Sequence, residues 1–131
     1  MDPKKNDESF EFYFPFAAPG LNGGHGLIRM NRFKKKEWKD KINSQTLAQL
    51  RMRFRDEERK VVVEYCRQYK DVPMDRDNLA ASAKFFLDSL THHKVIIDDS
   101  EKYIVFKPTQ EKRPKGVKLS VTRIRLYYED Q

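Results

Sequence analysis

The stretch KVVVEYCRQYKDVPMDRDNLAASAKFFLDSL, residues 60–90, carries the change of period that decides the fold. From Lys60 to Tyr69 it is rich in β-branched and aromatic residues, as a strand requires, and Asp71-Val72-Pro73 ends the extended run. A helix is then predicted from near Asn78, a good capping residue, because Leu79, Ala83, Phe86, Leu87 and Leu90 recur at helical spacing and form one apolar stripe. The chain therefore leaves a sheet and lays a helix against it.

The flanking segments extend the same alternation. Phe10, Phe12, Phe14 and Phe16 occupy alternate positions, which places four aromatic rings on one face of a first strand. Residues 17–26 are dense in glycine and proline and read as an irregular loop. From Lys34 to Arg53 a basic background is interrupted by Trp38, Ile42, Leu47 and Leu50, the pattern of a one-faced helix. Tyr103 to Lys107 and Val117 to Tyr128 read as two closing strands joined by a hairpin loop over 108–116. There are no repeats. The expectation is an α+β fold: a single small domain over 9–131, in β-α-β-α-β-β order, with one mixed sheet and helices packed against it. Residues 1–8 are expected to form a loose polar tail.

With 27 Lys and Arg against 20 Asp and Glu in 131 residues, the formal charge is +7 and the sequence pI about 9.5. This balance suits a polyanionic partner without choosing among anions. Cys66 is the sole cysteine, which excludes an internal disulfide; it sits in an apolar run and is expected to be a buried strand residue in a reducing compartment. No run approaches the roughly 20 apolar residues that span a bilayer, and Met1-Asp2-Pro3-Lys4-Lys5 lacks the apolar core of a signal peptide. A soluble intracellular protein is expected. His92, His93 and Cys66 match no usual zinc spacing, and Gly23, Gly24 and Gly26 lack the arrangement that cradles a nucleotide phosphate.

The chemistry-bearing stretch is Met74-Asp75-Arg76-Asp77-Asn78-Leu79. Two carboxylates two residues apart at the end of a strand point to one side and repel unless a cation lies between them. Magnesium takes oxygen ligands and commonly only one or two protein carboxylates, so this spacing suits it. The same residues also fit a solvated turn with a helix cap. Lys84, seven residues after Asp77, returns to the same side of a continuous helix. It lies at about 140° from Leu79, off the apolar stripe, free to reach a phosphate. A second acidic pair, Asp98-Asp99, follows Val95-Ile96-Ile97; adjacent residues of an extended chain point oppositely, so one of the two enters a shared site, and spacing does not say which.

Taken together, Asp75-x-Asp77-Asn78-Leu79, then Lys84 with Asp88 and Leu90 on one helix, then Asp98-Asp99, resemble the signature of RusA-like Holliday junction resolvases. The match is good from about Pro73 to Phe106 and looser over the whole element order. Two departures stand out: Asn78 to Lys84 is about three residues longer than in the best-known members, close to one helical turn, and the N-terminal loop offers Asn22 among glycines where the family has a proline-rich paired-asparagine form. The resemblance implies a magnesium-dependent endodeoxyribonuclease that cuts four-way junctions in pairs during recombination and repair. It implies Asp75, Asp77 and Asp99 as metal ligands, favouring Asp99 over Asp98, and Lys84 as the phosphate-contacting catalytic residue. It also implies a homodimer, with no nucleotide cofactor, and a cytoplasmic, bacterial or phage-encoded setting.

Lys34, Lys35, Lys36, Lys39, Arg76 and Lys84 are the expected DNA-binding set, with Lys41, Arg51, Arg53 and Arg55 as further candidates. A solvated helix face accounts for the helical lysines equally well. The four phenylalanines and Tyr127-Tyr128 read as core, and as interface only after that. Two other functions remain open on the residues: a metal-dependent nuclease acting on other DNA structures, and a non-catalytic basic DNA-binding protein in which the aspartates are turn residues.

Overall fold

A computed structural model of the chain describes residues 8–21 and 26–129. Strand β1 (Ser9–Phe14) forms where the alternating phenylalanines place it, with Phe12 and Phe14 fully buried and Phe10 packed against them. Asn31 caps the next helix by accepting from the Lys34 backbone N–H at 2.9 Å, and α1 runs over Arg32–Gln49. Then come β2 (Val61–Tyr69), α2 (Arg76–Ser82), α3 (Lys84–His92), β3 (Ile104–Lys112) and β4 (Thr122–Tyr128). Together these elements make the expected α+β domain. Residues 1–7 of the expected tail, and Asn22, Gly23, Gly24 and His25 of the glycine-rich loop, lie outside the described residues.

The sheet order is β1-β4-β2-β3. β4 is antiparallel to β1 and to β2, whereas β3 lies parallel to β2 with Val61 opposite Ile104 and Tyr69 opposite Lys112. This corrects the hairpin reading of 108–116. β3 and β4 are not neighbours, because both pair with the long apolar β2, one on each side. β3 also continues through Pro108 to Lys112, which an edge strand tolerates, and the Thr109 hydroxyl donates to the Tyr65 carbonyl at 3.0 Å.

One face of the sheet makes the core. Val61, Val63 and Tyr65 of β2, Ile124 and Leu126 of β4, and Phe12 and Phe14 of β1 meet Leu79, Ala83, Phe86 and Leu90 from the helices. The Phe86 ring packs at 4.8 Å from Phe14 and 5.8 Å from Tyr65. The other face is laced with charge: Glu64 accepts from Arg125 at 3.3 Å and from the Tyr127 hydroxyl at 2.6 Å, while Glu111 accepts from Arg123 and Gln68 at 3.0 Å. Cys66 lies on this polar face and is half-buried, not buried, because the inward positions of β2 are the odd-numbered ones.

Helix packing departs from the sequence expectation in three places. First, the second helix is two helices. At Ala83 the turn tightens, with its N–H on the Ala80 carbonyl at 3.2 Å. Beside the break, the Ser82 hydroxyl donates to the Leu79 carbonyl at 2.6 Å and meets the Tyr65 hydroxyl at 2.7 Å. Ser82 has one proton to give, so Tyr65 is the donor in that pair; burial pushes the Tyr65 phenol up to about 12. Second, Phe85 is buried although it lies off the apolar stripe, because α1, which packs against β1 where the Gln49 side chain bonds the Tyr13 N–H and carbonyl, packs against α3 as well. The Ser89 hydroxyl marks that contact, at 2.6 Å from Asn43 Oδ1 and 2.9 Å from Thr46 Oγ1. Third, α1 buries Ile42 and Thr46, four residues apart, and leaves Leu47 61% exposed. Among the described residues no helix is long and apolar enough to cross a membrane.

Candidate functional site

Two hydrogen bonds fix the start of α2. The Gln110 side chain of β3 accepts from the Met74 N–H at 2.9 Å and donates to the Met74 carbonyl at 2.8 Å, so the residue before Asp75 is held like an added strand. Asp75 is then the helix N-cap: its Oδ1 accepts from the Asn78 N–H at 2.9 Å and its Oδ2 from Asn78 Nδ2 at 3.1 Å. Asp77 lies in the first turn and, like Asp75 and Arg76, is exposed. The two aspartates therefore do not share a strand face as the spacing suggested. Asp75 folds its carboxylate over the helix end, whereas Asp77 projects from the first turn, and helical residues two apart do not face one another.

Asn78 is the residue that sequence reasoning undervalued. Its Oδ1 accepts from the Leu21 N–H at 2.9 Å while its Nδ2 holds Asp75, so one side chain ties Leu21, and the segment that leads to it from β1, to the acid-bearing helix end. Gly20 makes this possible: a Cβ there would stand 2.9 Å from Asn78 Oδ1 and 3.0 Å from its backbone oxygen. The signal in the sequence was the amide directly after the acidic pair, which read only as a helix cap.

Beyond Leu21 the surface is cationic. A groove of about 390 Å³ is floored by Leu27 and Phe85 and rimmed by Lys35 and Lys39 of α1 and Lys84 and Asp88 of α3. Lys84 pairs with Asp88 at 3.5 Å. Because the helix breaks at Ala83, Lys84 opens a new helix and is not placed by two continuous turns from Asp77. The remaining candidate cations separate: Lys36 pairs with Asp40 at 2.7 Å and Lys34 with Glu37 at 3.8 Å, whereas Lys35 and Lys39 have no acidic partner among the described residues.

Asp98 and Asp99 lie elsewhere. They fall between Ile96, which bridges Phe54, and the Ser100 carbonyl, which receives the Tyr103 and Ile104 N–H groups at the start of β3. Met74 is tied to Gln110, six residues further along β3, a separation of about 20 Å at strand rise. Helices α2 and α3 span the interval. One chain thus brings Asp75, Asp77 and Asn78 together, and Lys35, Lys39, Lys84 and Asp88 beside them, but leaves Asp99 at the far end of the crossover. Among the described residues no group of three His, Cys, Asp or Glu side chains is placed to hold a metal ion. Compared with known proteins, the sequence matches no family model and no curated protein.

Proposed function

We propose that the protein is a magnesium-dependent, structure-selective endodeoxyribonuclease that cuts branched DNA as a homodimer, in the manner of RusA-like resolvases. The observation that carries the reading is the contiguity of acid and cation. Leu21 gives its N–H to Asn78 beside Asp75, and the same residue lines the groove of Lys35, Lys39 and Lys84. A strand whose phosphates lie along the lysines arrives at the carboxylates.

Asp75 and Asp77 are carboxylates, the donor type a hard divalent ion prefers, and both are exposed; Asp75 is oriented by Asn78, and Asp77 has to turn from the first helical turn to join it on one ion. A magnesium ion held by Asp75 and Asp77 would supply an activated water for attack on the phosphodiester and would balance the charge that develops. Asn78 holds the Asp75 carboxylate in place. Lys84 neutralises phosphate charge and is itself held by Asp88, while Lys35 and Lys39 retain the strand. A site that also uses Asp99 calls for a second copy of the chain to bring it, because within one chain Asp99 lies before the start of β3 whereas Asp75 follows the residue tied to Gln110 near the end of that strand. Two-fold pairing suits a junction that must be cut on two strands. The setting proposed is the cytoplasm of a bacterium, with the gene resident or phage-borne.

The test is cleavage of a labelled synthetic four-way junction, with linear duplex as control, by wild type and Asp77→Asn in magnesium or EDTA. Paired, symmetric, magnesium-dependent nicks that vanish in the variant are expected. Binding without cleavage across magnesium, manganese and several branched substrates would overturn the reading in favour of a basic DNA-binding protein.

A further inference from the structure

A second cavity, of about 620 Å³, is lined by Arg67, Arg29, Lys34 and Trp38, with Ala17 and Pro19 at its border, whereas Leu21 and Ile28 border the lysine groove. Arg67 is the unusual member. It projects from the end of β2 and is half-buried, and its Nε donates to the Ala18 carbonyl at 2.9 Å and its Nη1 to the Gln68 carbonyl at 3.4 Å. Both acceptors are neutral. Arg123 and Arg125 on the same sheet each have a glutamate, but Arg67 has no carboxylate partner among the described residues. Burial accordingly lowers its pKa. A desolvated guanidinium with donors to spare and no counter-charge favours an anion beside it.

The surroundings point to the kind of anion. Arg29 and Lys34 are exposed at the cavity wall. Trp38 is braced from behind by Phe16, whose ring centroid is 5.8 Å away, and by the Lys41 ammonium 4.9 Å from its own. Its remaining surface lines the cavity and offers an aromatic wall to a base. Pro19 borders the cavity and the next residue, Gly20, rests on Asn78, so the cavity and the acidic helix end are back to back across one residue.

We infer that this cavity is a nucleotide subsite for a single DNA strand: Arg67, Arg29 and Lys34 hold a backbone phosphate and Trp38 stacks the adjoining base. The inference rests on the nucleic-acid part of the proposed function but not on cleavage. It would give one stretch of backbone the lysines of the groove and another stretch this subsite, with Gly20 between Pro19 at the border of the one and Leu21 at the border of the other.

Trp38 is the only tryptophan, so its emission reports on the cavity directly. The experiment is a fluorescence titration of the full chain in EDTA with an octathymidylate, and separately with inorganic phosphate at equal total phosphate. Wild type is expected to be quenched by the oligonucleotide and not by phosphate. Affinity should fall on the order of tenfold in Arg67→Met, and the salt dependence should flatten by about 0.7 in log–log slope for one lost phosphate contact. Arg67 also holds Ala18, so the exposed pair Arg29→Ser and Lys34→Gln, which has no such role, serves as the second variant and should weaken binding likewise. The titration in EDTA reads binding with no cleavage possible, and junction nicking is assayed separately in magnesium, which separates failure of this site from failure of the nuclease. No quench by the oligonucleotide, equal quench by phosphate, or affinity unchanged in both the Arg67 and the Arg29/Lys34 variants would overturn the inference.

Discussion

Asp75 is asked to do two things, and two substitutions separate them. As the α2 N-cap it accepts from the Asn78 N–H at 2.9 Å and from Asn78 Nδ2 at 3.1 Å. Removing a capping carboxylate costs about 1 kcal/mol. The exposed Asn78 amide recovers water, so little is added for its lost partner. In a domain of this size that cost lowers Tm by about 3–5 °C. Asparagine caps almost as well as aspartate and forfeits only the charge at the helix end, roughly 0.3 kcal/mol or about 1 °C. Asp75→Ala is therefore expected to melt clearly lower than Asp75→Asn by circular dichroism, while both variants lose magnesium-dependent junction cleavage. Equal melting of the two would refute the capping role. Wild-type nicking by Asp75→Asn would refute the ligand role.

Four further outcomes follow from the same geometry. If Asp77 and Asp99 meet only between copies, mixing inactive Asp77→Asn and Asp99→Asn proteins restores one intact site in each heterodimer, and nicking of the junction returns; no recovery after subunit exchange would place the site within one chain or exclude Asp99 from it. Gly20→Ala forces a Cβ against the Asn78 side chain and backbone and should cost about 1–3 kcal/mol in urea denaturation; an unchanged midpoint would mean the loop does not rest on Asn78. Phe86→Ala empties the space beside Phe14 and Tyr65 and should cost about 3–5 kcal/mol by the same measurement, with a loss under about 1 kcal/mol contradicting the core described here. Burial, with His92 and Arg53 nearby, lowers the His93 pKa from its ordinary 6.5, and its Nε2 has no hydrogen-bond partner among the described residues. The unfolded chain then takes up the proton first, so stability falls as the pH drops below 6.5 and levels off below the folded value; His93→Gln should flatten urea midpoints between pH 7.5 and 5.5, and an unchanged slope would contradict this.

Local pattern was sufficient for much of the molecule. Alternation of phenylalanines placed β1, the β-branched run placed β2, and the stripe from Leu79 to Leu90 named the residues that meet the sheet, because burial of one face imposes the period of the element on the sequence. The acidic helix start was legible only in part: a helix was expected here, but from Asn78 with the aspartates on a strand end. The cap is instead Asp75 and the helix begins at Arg76, because the Asp75 carboxylate reaches the Asn78 N–H. What the sequence did not contain was set by partners distant along the chain. That β3 and β4 flank β2 depends on which edges β2 offers, and a hairpin and a crossover leave the same strand composition behind. Phe85 and Leu47 exchanged their expected environments because α1 packs on α3 through Thr46, Asn43 and Ser89, a contact between segments more than forty residues apart. For the same reason the candidate site was only half readable: residue types marked Asp75, Asp77, Lys84 and the pair Asp98-Asp99, and only the family resemblance chose Asp99. The crossover decides that Asp75 and Asp77 lie at one end of the domain while Asp98 and Asp99 lie at the other.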